Sequence, residues 1–500
     1  MTAPRIARSL MRLLTVVLVG GFVLGLLPPA LGGSTPPTVV REKRLSLGEL
    51  VPASSVAART TSGVRLRRAT WTEPTEACAP ITFTAVAFTW RQDGEASIPA
   101  ALSWGSGTAR LEGEPDEGPD PGSEDDHGIV GTPLQWTGEA RCVHARFRLP
   151  ARTSVRDLRG VFLNTSGTAS GESVLGSAGE ALARLWGMTT PDPAAAMPAR
   201  PGFVTRKEWG ANESLRSLYC DGEPDYADRL KVAYVHHTAG SNTYSKSESD
   251  DVVRAIYSYH VRSRHYCDIA YNFLVDRFGR IYEGRYGGVS KPVIGGHASG
   301  FNTSSTGIAA MGDFSSVQPS RALRSSLKRL LAWRLDVAHL PPAGWNKMKS
   351  AGGGSSRYGA GQVVRLRVIT GHRDTSYTSC PGGNLYERLR NIRRRVKHLG
   401  GPKIWKPNQS TGHITPKLDK VRWVARLSRT LAWTIRVHDK SGSLARRWDG
   451  TSNRMAVGWG GVTAAGKPAD PGFYTVTLSA RRPDGAVARP AKFRLRIDEA

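Results

Sequence analysis

Lys231-Val232-Ala233-Tyr234-Val235-His236-His237-Thr238 is an apolar run that stops at two adjacent imidazoles, and the rest of the chain is read outward from it. Its branched and aromatic residues predict a strand over 231–236. Further strands are predicted over 271–276, 280–283, 307–311 and 363–369, with a turn at Arg277-Phe278-Gly279. On that pattern Tyr271 shares a strand face with Phe273 and Val275. Helical spacing runs over 249–261, with Val252, Val253, Ile256 and Tyr257 on one side, over 321–338 behind Pro319-Ser320, and over a basic 385–399. Strands interleaved with helices predict an α/β domain spanning 202–400, a mixed β-sheet with packing helices.

The flanks have a different period. Residues 63–187 alternate in short runs such as Ile81-Thr82-Phe83-Thr84-Ala85-Val86, which predicts an N-terminal β-sandwich. Alternation returns over 405–500, in Leu431-Ala432-Trp433-Thr434-Ile435-Arg436-Val437 and Gly472-Phe473-Tyr474-Thr475-Val476, and predicts a C-terminal one. A Pro/Ala segment within 188–201 reads as a linker, and Glu112–Asp126, rich in acids, Gly and Pro, as a solvated loop. The expected architecture is multidomain, one α/β domain between two β-modules.

Arg5, Arg8 and Arg12 precede an apolar stretch, Leu13 to Leu27, and then Pro28-Pro29-Ala30-Leu31-Gly32. That order predicts a cleavable signal peptide over 1–32, a leader over 33–62 and a secreted product with no stable membrane insertion after cleavage. A stretch of roughly 15 residues is shorter than the ~20 that a spanning helix needs. The formal net charge of +27 resembles that of a nucleic-acid binder. Outside the cell the expected polyanions are instead wall polymers, so nucleic acid is not an expected partner.

Five cysteines in an exported chain leave one over once four have paired. Local pairing predicts Cys78 with Cys142 and Cys220 with Cys267, leaving Cys380 outside a disulfide. His236 ends one strand, His372 follows another in Gly371-His372-Arg373-Asp374, and Cys380 precedes Pro381-Gly382. Two imidazoles and a thiolate suit Zn²⁺ and leave a fourth position open, as hydrolysis requires. By themselves these residues leave a metal centre and ordinary structural packing both open.

The middle region resembles the peptidoglycan recognition protein and type 2 N-acetylmuramoyl-L-alanine amidase family. The matching stretches are Arg206–Ala211, Val235–Gly240, Asp268–Val275, Gly279–Arg285, Gly296–Asn302, Gly371–Asp374 and Thr378–Gly382, in the family's order. The resemblance implies Zn²⁺ held by His236, His372 and Cys380, and metal-assisted hydrolysis of the amide between the lactyl group of N-acetylmuramic acid and L-alanine in peptidoglycan. It further implies that Tyr271 hydrogen-bonds the reacting group and Thr378 steadies the oxyanion, and that His237, His297, Asn302 and Arg373 bind substrate. Two departures stand out. Ala309 occupies the place where one branch of the family has a glutamate, and Tyr286-Gly287 replaces a Gly-Trp pair tied to stem-peptide preference. The run Trp448-Asp449-Gly450, with Gly466 and Pro471-Gly472-Phe473-Tyr474, resembles the immunoglobulin-like module of flagellar hook-capping proteins.

A cysteine hydrolase built on Cys380 would leave two histidines in ligand context unexplained, and a serine hydrolase lacks its G-x-S-x-G turn. The rival from another class is a protein that holds or senses peptidoglycan without cutting it.

Overall fold

In a computed structural model of the chain, the structure describes residues 38–45, 56–59, 63–66, 69–92, 98–105, 107–111, 118–151, 154–166 and 197–499. The expected signal peptide lies outside the described residues, as do the first part of the acidic stretch and the linker up to residue 196. No described helix is long and apolar enough to cross a membrane.

The middle region holds a five-stranded sheet. Its strands are β1 (Val232–His237), β2 (Phe273–Val275), β3 (Ile281–Glu283), β4 (Ser305–Ala310) and, completing the sheet beyond a separate hairpin, β7 (Ile369–Gly371). The hairpin comprises β5 (Trp345–Lys349) and β6 (Val363–Arg367). The sheet order is β3-β2-β4-β1-β7, parallel except for β2 with β3. β1 is therefore interior, and such a strand reads as a continuous apolar run because both faces are covered.

Three α-helices complete the region: α1 (Ser249–Ser258), α2 (Arg321–Val337) and α3 (Gly383–His398). α2 starts where Ser320 accepts a hydrogen bond from the Leu323 amide, satisfying one of the first turn's spare donors. It buries Leu323, Leu327, Leu330, Leu331 and Leu335 against α3 and against Ala233, Val235, Phe273 and Val275 of the sheet. Each such leucine contributes about 1.5–3 kcal/mol. On the opposite face β1 sends Val232 and Tyr234 toward the hairpin residues Met348, Val364 and Leu366.

The strand expected over 363–369 is two strands in different sheets. Val368 is the switch: its amide donates to Gly344 O at 3.0 Å while its carbonyl accepts from Ala233 N at 2.7 Å. Periodicity ran straight through because the break costs no apolar residue.

The N-terminal region is a ten-stranded sheet and the C-terminal one a six-stranded sheet, with no helix in either among the described residues. Phe83, Phe88, Trp90, Phe147 and Phe162 fill the first core, and Trp423, Met455, Val457 and Val476 the second. Part of the expected leader belongs to the sheet, because Val39–Arg44 pairs along its length with Ser154–Asn164. The sheet is also covered on its far face: Ala85, Ala87, Val161 and Leu163 share a core with Val252, Val253 and Ile256 of α1. That double burial explains the unbroken buried run from Phe83 to Trp90.

The acidic stretch is solvated over only part of its described length: Pro121–Glu124 and Asp126 are exposed, but two of its carboxylates are held by the middle region. Asp125 is buried, pairs with Arg285 at 2.6 Å and accepts from the Cys267 amide at 2.6 Å. Asp120 accepts from Asn302 Nδ2 at 2.9 Å. Composition alone cannot show that these carboxylates meet donors on another element. Both expected disulfides are present, Cys78–Cys142 across two neighbouring strands and Cys220–Cys267 in the middle region.

Candidate metal centre

β1 and β7 run parallel with Val235 beside Gly371, so the next residue of each strand, His236 and His372, emerges at the same sheet end. Their rings lie 4.6 Å apart. Cys380 reaches them because the chain folds back from the Gly-His-Arg-Asp turn, where Arg373 N donates to Cys380 O at 3.0 Å. Asp374 pins that turn by accepting from the Gly371 amide at 3.0 Å and from the Thr370 and Tyr386 hydroxyls. One ligand atom each from His236, His372 and Cys380 lies within 4.8 Å of the other two.

All three residues are at most 1 % exposed. Both ring nitrogens of His372 are buried with no hydrogen-bond partner, an expensive state that a bound cation would relieve. Burial, and next His237, holds His372 down at about 3; burial, then His372 and His297, puts His236 well below its ordinary range. Both imidazoles are thus neutral, the form that binds metal. Two neutral imidazoles and one sulfur with orphaned donors fit Zn²⁺.

Adjacent histidines take opposite roles because a strand alternates its side chains. His236 Nε2 is 3.1 Å from His297 Nδ1, which turns His236 Nδ1 toward Cys380 Sγ at 3.7 Å. His237 faces the helix side, where its Nδ1 accepts from the Phe314 amide at 3.2 Å. His297 is fully buried between His236 and the Ser305 hydroxyl, and a side chain on Gly307 would collide with its ring. Asn302 is buried too: its Oδ1 accepts from the His297 and Ala298 amides, closing the 297–302 loop. Of the four expected substrate contacts, only Arg373 is part-exposed, lying over the Tyr386 ring.

Tyr271 lies just before β2, not in it. It packs in the core with Leu274 and α1, whereas Phe273 and Val275 face α2, so the expected shared strand face does not hold. Its ring is 5.5 Å from that of His236, and its buried hydroxyl has no partner. The Thr378 hydroxyl accepts from the Cys380 amide at 2.9 Å. Ala309 pairs in register with His236, placing a methyl where a longer acid would have met the centre.

Sequence reasoning missed His260. Its Nδ1 accepts from the Ala270 amide at 3.1 Å and its ring lies 5.9 Å from that of Tyr271, steadying the approach to β2. Only its place near the end of an apolar helical face hinted at burial. Also missed was the hold of the N-terminal region on this site: Tyr259 donates to Thr132 O at 2.9 Å, and a side chain on Gly131 would strike that phenol.

The family described as N-acetylmuramoyl-L-alanine amidase (Amidase_2) matches residues 226–383. Peptidoglycan-recognition protein SC1a of Drosophila melanogaster is 30% identical over 189 residues, 37% of this chain and 83% of that protein. Peptidoglycan-recognition protein SC2 of Drosophila simulans is 29% identical over 188 residues, 38% of this chain and 84% of that protein. A solved structure of Drosophila PGRP-LB is 24% identical, covering 38% of this chain and 92% of that one, with a TM-score of 0.29. The chain belongs to the peptidoglycan recognition protein and type 2 amidase family. Its role is accordingly a peptidoglycan-related one, as an amidase or a binder.

Proposed function

We propose that the chain is a zinc-dependent N-acetylmuramoyl-L-alanine amidase, which hydrolyses the amide joining the muramic-acid lactyl group to L-alanine. The observation that carries this reading is the convergence of His236, His372 and Cys380 within 4.8 Å, with both nitrogens of His372 unpartnered. Pure binding of a glycopeptide needs no such buried donor set. Zn²⁺ held there supplies a Lewis acid for the scissile carbonyl and brings the pKa of water from about 15.7 to near 7.

The chain's own residues do the rest. His297 holds the His236 ring in one orientation. Tyr271 offers an uncommitted buried hydroxyl beside His236, suited to donate a proton toward the departing alanine nitrogen or to the lactyl carbonyl oxygen. Thr378, on the cysteine loop, is suited to hold the oxyanion. With Ala309 in place of an acid, no carboxylate shares this task, so proton movement falls on Tyr271.

We read the chain further as an exported wall protein with a signal peptide over 1–32 and a C-terminal immunoglobulin-like module, in which two sandwich-like β-modules flank the catalytic domain. The full burial of the donors and of His297 and Asn302 favours a second reading, a peptidoglycan sensor that does not cut. Mass spectrometry of muropeptides incubated with the zinc-loaded protein separates the two. Release of intact stem peptides and unsubstituted glycan, abolished by a chelator, is the amidase outcome; binding without release is the sensor.

A further inference from the structure

The C-terminal module is fixed to the catalytic domain, not tethered to it. Arg489 pairs with buried Asp336 of α2 at 2.8 Å, Lys406 N donates to His339 O at 2.8 Å, and Lys406 Nζ donates to Trp345 O at 2.8 Å. At this junction two clefts, of about 360 and 550 Å³, meet at Lys406 and Arg426. Side by side, with Lys406 and Arg426 as their shared wall, they form a grooved basic surface reaching from the hairpin to the C-terminal sheet. Its charged residues are Arg365, Lys397, Lys406, Arg426 and Arg454, and among the described residues no carboxylate lines it.

Cations crowded without an anion repel one another. Burial and then Arg426 push the Lys406 ammonium below its ordinary range. Trp345 gathers two guanidiniums, those of Arg367 and Arg365 at 3.8 and 4.9 Å from its ring centre. Trp405, also in the lining, has an indole N–H with no acceptor. Guanidinium forks match phosphate oxygens, and a row of them along a groove suits a chain of phosphates better than one ion.

We propose that this groove binds a linear phosphodiester polymer of the wall, a polyol-phosphate chain, and so docks the enzyme beside its substrate. The choice of a wall polymer over other polyanions rests on the amidase reading; the groove's affinity for phosphodiesters does not. β6, which carries Arg365, is followed after Val368 by β7 and then His372, so one short stretch of chain joins the groove to the donor cluster.

The test uses the full-length protein and purified, lipid-free poly(glycerol phosphate), with polygalacturonate and duplex DNA as separate arms. Lys397→Gln/Arg426→Gln should weaken polymer binding at least tenfold at low salt and flatten the slope of log K against log salt by about 2. Arg365→Gln, on the hairpin side of the groove, should weaken it independently. Unchanged affinity in both variants overturns the proposal. Tighter binding of DNA or polygalacturonate than of the phosphate polymer, lost in the same variants, overturns it as well. Hydrolysis of a soluble muropeptide monomer, which reports on the amidase reading alone, should be the same in wild type and variants.

Discussion

His236 Nε2 lies 3.1 Å from His297 Nδ1, and this contact decides which nitrogen of His236 is left to face Cys380. A ligand's outer partner fixes its tautomer and ring angle, and losing one typically costs 10–100-fold in metal affinity. His297→Ala should therefore lower zinc affinity by about that factor while leaving the fold intact. Competition against a chromophoric chelator measures it, and wild-type affinity in the variant would show that His297 only packs.

Cys380→Ser should lose more, because it removes a ligand. Zinc retained after gel filtration should fall from one equivalent to far below it, with muropeptide hydrolysis falling by more than about 100-fold. Full activity in the metal-stripped wild type would instead revive a cysteine nucleophile.

Tyr271→Phe separates chemistry from structure. Its hydroxyl is buried without a partner, so deleting it should leave the metal-free protein as stable or up to about 1 kcal/mol more stable to urea. The same change should cut kcat by about 10²–10⁴ with zinc content unchanged. A variant that is destabilised yet fully active assigns Tyr271 to packing alone.

The pair of Asp125 and Arg285 ties the N-terminal region to the middle domain with both side chains at most 10% exposed. Arg285→Met leaves the carboxylate buried and unpaired, at a cost of about 3–5 kcal/mol. Urea unfolding should report the loss, and limited proteolysis should cut sooner within residues 118–134.

Stability should fall in acid. Burial, then Arg264 and Arg285, holds His260 down at about 3 against an ordinary 6.5. Between those values the unfolded chain binds a proton that the native state refuses. The contribution of His260 is complete above pH 6.5 and is lost as pH falls toward 3, by at most about 1.4 kcal/mol per unit. Urea midpoints between pH 7 and 5 should show this decline, and His260→Gln should make it shallower; an equally steep decline would assign it elsewhere.

Much of the middle region was legible because its signals are local. The apolar strand ending at His236, the helix behind Pro319-Ser320 and the leftover fifth cysteine each announce themselves within a few residues, and the observed elements follow them closely. Tyr271 was misread because alternation assumes that a strand is already under way, and here it starts at Phe273. Asp120 and Asp125 were misread because an acid-rich stretch looks solvated until Asn302 and Arg285 arrive from far along the chain.

The sequence by itself determined the main strands and helices that flank the site, the two disulfide pairings and the kinds of donor available, since these depend on residue type and short-range spacing. Only the tertiary structure decided that the ring of His236, and not that of His237, joins His372 and Cys380 in one donor cluster, that His297 sits against the His236 ring, and that the flanking sheets are welded to the domain between them. Those outcomes follow from strand register and from charges and hydrogen bonds closed across long stretches of chain, and no local pattern encodes which distant partner a buried polar group will find.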